Sequence, residues 1–135
     1  MQLLVWKDSY SVGVKELDVQ HQKIFELIDR LCTAIADTEE QKMADKIIEE
    51  LENYSKFHFS TEEKYFDMFN YDEKEEHKAK HEKYKEKTEK FKSDSVENNP
   101  ALLRDILDFM VDWWNSHIQQ TDKRYAKCFQ DHGLS

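Results

Sequence analysis

The stretch 54-YSKFHFSTEEKYFDMFNYDEKEEHKAKHEKY-84 decides the fold. Its first half continues an apolar stripe at helical spacing, Ile47, Leu51, Tyr54, His58, Glu62, Tyr65 and Phe69, on one face of a helix. Asn70-Tyr71-Asp72 then reads as a turn, with Asp72 a cap and Glu75 three residues on. The second half resumes the helical period with His77, His81, Tyr84, Thr88 and Phe91 facing inward. Each helix therefore carries a pair of metal-capable side chains one turn apart, His58 with Glu62 and His77 with His81. A short turn between two helices makes them antiparallel neighbours, which is half of a helical bundle.

Working outward supplies the other half. Upstream, a helix from Asp18 has an Ile24, Ile28, Leu31, Ile35 stripe that His21 extends back by one turn. Thr38 and Gln41 match a capping box at the start of the next helix. Downstream, 93-SDSVENNP-100 is a loop ending with Asn99 as N-cap and Pro100 at the first helical position. The last helix carries Leu103, Ile106, Met110, Trp113, His117 and Tyr125. The expectation is an all-α, up-down-up-down antiparallel four-helix bundle forming one domain, 1–135. Its parts are an N-terminal arm, 1–17, and helices at about 18–37, 40–69, 72–92 and 100–130.

Composition agrees. Two glycines and one proline in 135 residues leave few places to turn. The formal charge of −9 argues against a nucleic-acid partner, because phosphate binding needs a basic surface. No apolar run approaches the ~20 residues of a membrane span, and the first residues lack signal-peptide character, so a cytoplasmic location is expected. Cys32 and Cys128 each lie 11 residues after a candidate histidine, on antiparallel helices, and so depart in opposite directions and cannot bridge.

Helix lengths bring the histidines to one level. His21 precedes Thr38 by 17 residues, and Gln41 precedes His58 by 17; His77 precedes Ser93 by 16, and Ala101 precedes His117 by 16. At ~1.5 Å per residue all four stand ~25 Å from the same end of the bundle. Their imidazoles, with carboxylates, form a donor set that iron, manganese and zinc accept. Seven candidates, His21, His58, Glu62, His77, His81, His117 and Asp122, are too many for one tetrahedral zinc and suit a two-metal centre. Lys78 excludes the zinc-protease pattern. Asp122 fits least well, since an ideal helix turns it ~140° from His117. His132, near the C-terminus, has no evident role.

Order and spacing together resemble the hemerythrin family over nearly the whole chain. The matching pieces are Trp6…Tyr10-Ser11-Val12-Gly13…Leu17-Asp18-x-x-His21, His58-Phe59-x-x-Glu62-Glu63, His77-x-x-x-His81 and His117-Ile118-x-x-x-Asp122. The resemblance accounts for Asp122, because the family has the same five-residue step. It implies two iron ions bridged by Glu62, Asp122 and an oxo or hydroxo group. His77, His81 and His117 would hold one iron; His21 and His58 would hold the other and leave a position for O2. The implied O2 pocket is lined by Ile24, Phe59, Trp113, Trp114 and Ile118. Two departures from the family stand out: Trp114 is larger than the Leu often found there, and Phe66 replaces a common Met.

The implied function is non-enzymatic, reversible O2 binding for storage, delivery or sensing, in a monomer with no catalytic residues. A di-iron enzyme reducing peroxide, nitric oxide or O2 is the alternative, and a helical bundle holding zinc, or no metal, is a third reading. An unidentified redox or client protein is left open as a partner.

Overall fold

The computed structural model describes residues 4–37, 43–93 and 100–135. Four long helices form the bundle: α1 (Lys15–Ala36), α2 (Ala44–Met68), α3 (Lys74–Ser93) and α4 (Pro100–Ser116). The fourth arm continues through a π-helical turn (His117–Thr121), a 3-10 turn (Asp122–Tyr125) and α5 (Ala126–Asp131). No strand occurs among the described residues. The architecture is the expected antiparallel four-helix bundle with an N-terminal arm.

α1 begins at Lys15 rather than at Asp18, with Val14 as N-cap. Asp18 serves another purpose. Its carboxylate accepts hydrogen bonds from the Val12 N–H (2.9 Å) and the Ser11 hydroxyl (2.5 Å), tying the arm to the first turn of the helix. The anionic group sits where the helix N-terminus favours it. α3 likewise starts at Lys74 instead of residue 72, its first bond running from the His77 N–H to the Glu73 carbonyl (3.0 Å). The Thr38–Gln41 capping box and the Asn99 cap lie outside the described residues.

The turn after α2 is a Schellman stop. Asn70 takes a left-handed backbone (φ 49°), and the Tyr71 N–H donates to the Phe66 carbonyl at 2.9 Å. Phe66 and Tyr71 complete the motif with the ring contact it favours, centroids 5.2 Å apart.

Two apolar clusters fill the bundle. The larger includes Ile24, Ile28, Leu31, Leu51, Phe59, Tyr84, Met110, Trp114 and Ile118; the smaller, at the arm end, includes Val12, Leu17, Phe66, Tyr71, Tyr125 and Phe129. Each such side chain contributes ~1.5–3 kcal/mol by leaving water. Candidate ligands lie where the two clusters meet: His21 between Leu17 and Ile24, Glu62 between Phe59 and Phe66, Asp122 between Ile118 and Tyr125. A polar layer therefore crosses an otherwise apolar interior. Phe57, next to His58 in sequence, points outward and is 55% exposed. Cys32 and Cys128 are free and half-buried.

Candidate metal centre

All seven sequence-selected side chains meet in this layer. His21, His58, Glu62, His81 and Asp122 are fully buried, and His77 and His117 are 2% and 4% exposed. Seven ionisable groups without solvent cost many kcal/mol unless they satisfy one another or bind an ion.

The five histidines point their Nε2 atoms inward. His21 and His58 place theirs 3.0 Å apart, and His77 and His117 place theirs 3.1 Å apart. The carboxylates lie between. Asp122 Oδ2 is 2.9 Å from His21 Nε2, while its Oδ1 is 2.9 Å from His117 Nε2 and 3.0 Å from His77 Nε2. Glu62 Oε1 stands 3.2 Å from His81 Nε2, 3.4 Å from His58 Nε2 and 3.9 Å from His77 Nε2. Two compact donor groups result: Glu62 with His77, His81 and His117, and Glu62 with His21, His58 and Asp122. Glu62 belongs to both, and the two oxygens of Asp122 face opposite groups.

The π-helical turn makes this possible. The Asp122 N–H donates to the His117 carbonyl five residues back, so one turn consumes an extra residue and both side chains share a face. The same turn keeps Tyr125 and Phe129 directed into the smaller cluster.

The outer ring nitrogens have partners that sequence reasoning did not assign. His58 Nδ1 is 2.6 Å from the Gln20 amide oxygen, whose own N–H2 donates to Thr61 (3.4 Å). His81 Nδ1 is 2.8 Å from Glu63 Oε2. Such partners fix ring orientation and leave the opposite nitrogen as the ligand atom. Their neighbourhood to the motifs, Gln20 before His21 and Glu63 after Glu62, was the available signal.

Electrostatics matches a cation site. Burial would raise both carboxyls, and the charge of Asp122 adds to this at Glu62. Surrounding imidazoles nevertheless hold Glu62 down at about 2 and Asp122 well below the usual carboxylate range. Burial lowers His58 to about 3 and also lowers His117. It would lower His81 too, but the Glu62 and Glu63 bonds outweigh it and raise that ring to about 9. Both oxygens of Glu62 and of Asp122 and the Nε2 of His81 lack a well-aligned hydrogen-bond donor. Two buried carboxylates held ionised, with five converging imidazoles that give up any Nε2 proton on binding, fit two divalent cations.

Aromatic rings close the layer on the side of the larger cluster. Phe59 stacks on His81 (3.9 Å, 13°), and Trp114 stacks on Phe59 (5.6 Å, 18°) and lies 5.8 Å from His58. Trp113 stacks on His117 (4.1 Å, 15°) and lines an open groove of about 420 Å³ along α4 and the π turn, bordered by Lys80 of α3. Ile24 and Ile118 are fully buried in the same cluster.

His132 stays outside this layer. Its Nδ1 is 2.7 Å from the Cys128 carbonyl, and its ring stacks on Phe69.

Residues 12–129 match the family model described as the hemerythrin HHE cation binding domain. The chain is 31% identical to a bacteriohemerythrin of Clostridium acetobutylicum, over 91% of this chain and 98% of that one. It is 27% identical to a bacteriohemerythrin of Stenotrophomonas maltophilia, over 98% of this chain and 85% of that one. A crystal structure of wild-type hemerythrin superposes with a TM-score of 0.77 at 26% identity, covering 93% of this chain and 97% of the other.

Proposed function

The chain belongs to the hemerythrin family, and we propose that it binds O2 reversibly at a non-haem di-iron centre. The observation carrying this reading is the pair of buried donor groups that share Glu62, one with three histidines and the other with two. In the proposal His77, His81 and His117 hold one iron, and His21 and His58 hold the other. Glu62, common to both donor groups, and Asp122, whose two oxygens face opposite groups, would serve both ions. The two-histidine half has fewer protein donors, so it offers the exchangeable position.

When bound, a pair of ferrous ions supplies the two electrons that O2 takes up and returns. The protein supplies enclosure. Ile24, Phe59, Trp113, Trp114 and Ile118 form the pocket in this reading. An apolar wall keeps water and protons away, which slows irreversible oxidation. Gln20 and Glu63 hold the His58 and His81 rings in place, limiting rearrangement between oxygenated and deoxygenated states.

Storage, delivery or sensing in the cytoplasm by a monomer is the role we assign. No helix among the described residues is long and apolar enough to cross a membrane. The test is anaerobic reduction followed by O2 titration, with an optical spectrum and an iron count. A colourless ferrous protein that colours with O2 and bleaches under vacuum is expected. Rapid one-way oxidation overturns the carrier reading; turnover with a reductant, far above the autoxidation rate, favours the alternative of an enzyme reducing peroxide, nitric oxide or O2.

A further inference from the structure

Trp114 is fully buried, so its indole N–H requires an acceptor inside the protein. The Tyr84 hydroxyl is that acceptor, at 3.3 Å. Tyr84 sits on α3, three residues after His81, and is only 2% exposed. Ser55, on α2, fixes the direction of the chain. Its single hydroxyl proton goes to the Leu51 carbonyl at 2.7 Å, so it accepts from Tyr84 at 3.0 Å. The Met110 sulfur, 3.1 Å from the phenol, is a weaker second acceptor. Burial, partly offset by the bonds to Ser55 and Trp114, lifts the phenol to about 12 and keeps its proton in place.

A one-way relay thus crosses three helices, from the Trp114 N–H to Tyr84, to Ser55, to the Leu51 carbonyl. At its start is the ring that stacks on Phe59 and faces His58. Tyr84 meets Phe59 edge-on (5.3 Å, 89°) and contacts Trp114 in the same manner (5.6 Å, 73°). Turning the indole away would break its hydrogen bond and its stack on Phe59 together.

We propose that Tyr84 is a positioning residue: its hydroxyl, held by Ser55, fixes the Trp114 indole as the pocket wall beside His58 and so restrains autoxidation. The consequence for autoxidation rests on the O2-binding reading; the positioning itself does not.

Tyr84→Phe keeps the ring and removes only the hydroxyl. In the metal-free protein, ¹⁵N NMR of the indole N–H groups is expected to show the Trp114 resonance shifted and its solvent exchange faster by about tenfold. In the iron-loaded protein, autoxidation after oxygenation is expected to accelerate by about tenfold, the scale of one lost buried hydrogen bond. Ser55→Ala retains the Trp114–Tyr84 bond but frees the phenol to turn toward Met110, and gives a smaller change of the same sign. In a Trp114→Phe background, which has no indole N–H, Tyr84→Phe adds less than about twofold.

An unchanged Trp114 resonance in Tyr84→Phe overturns the positioning claim. Equal acceleration with and without the indole shows that Tyr84 acts by another route and overturns it as well. If the wild-type protein shows no reversible colour, the O2-binding reading fails, while the metal-free resonance still decides whether Tyr84 positions Trp114.

Discussion

Asp122 Oδ1 stands 2.9 Å from His117 Nε2 although five residues separate them, and Asp122 Oδ2 stands equally near His21 on another helix. This carboxylate joins the two donor groups at the end of α4, and the π turn aims it. Its charge is what two cations require, since an amide has one neutral oxygen to offer. Asp122→Asn preserves size and the backbone turn. It is expected to lower iron from about two per chain to one or less, with far-UV helicity retained. Iron counting after anaerobic loading checks this; full loading removes Asp122 from the centre.

The helices and their common level were legible because apolar period and turn chemistry survive in any one sequence. The π turn was not. His117-Ile118-Gln119-Gln120-Thr121 has no glycine or proline to announce it, and it persists because tertiary packing on both sides sets its phase. The start of α1 is obscured for a different reason: Asp18 is a good capping residue that spends its carboxylate on the arm. Phe57 adjoins His58 yet falls off the stripe that carries His58 and Glu62, and it faces solvent. Gln20 and Glu63 were hidden because pairing with an outer ring nitrogen leaves no periodic trace.

Glu63 is half-buried, and its bond to His81 Nδ1 makes the opposite nitrogen a better ligand. Glu63→Gln keeps a hydrogen-bond acceptor but removes the negative charge. Metal affinity is expected to fall ~10–100-fold. Competition with a coloured chelator measures it, and a change under about twofold excludes the role.

In the metal-free protein the histidines pull stability in opposite directions with pH. His81 is raised to about 9 and His21 is raised as well. Their contribution is complete below the ordinary histidine value near 6.5 and is lost as pH climbs toward 9. His58, lowered to about 3, and His117, also lowered, act the other way, since acid protonates them in the unfolded chain first. Stability of the metal-free protein is therefore expected to peak near pH 6–7 and fall on both sides. Urea titrations at pH 5, 6.5 and 9 test this, and a monotonic trend contradicts it. Metal loading replaces the His81 proton, so uptake at pH 7 releases protons into a weakly buffered solution.

Phe59 separates two needs that a single substitution can pull apart. Its ring lies between His81 and Trp114, fully buried, so Phe59→Ala removes a stacked layer and leaves a cavity. A loss of ~3–5 kcal/mol is expected from equilibrium unfolding of the metal-free protein. Phe59→Leu refills most of that volume and should recover more than half of the loss. A leucine cannot stack on the imidazole or on the indole, however, and its shape leaves a path for water beside His81. Phe59→Leu is therefore expected to load iron fully while its oxygenated form autoxidises several-fold faster than wild type. Stopped-flow spectra at matched iron content make the comparison. If autoxidation in Phe59→Leu equals wild type, packing volume alone protects the centre, and the stacked rings serve stability only.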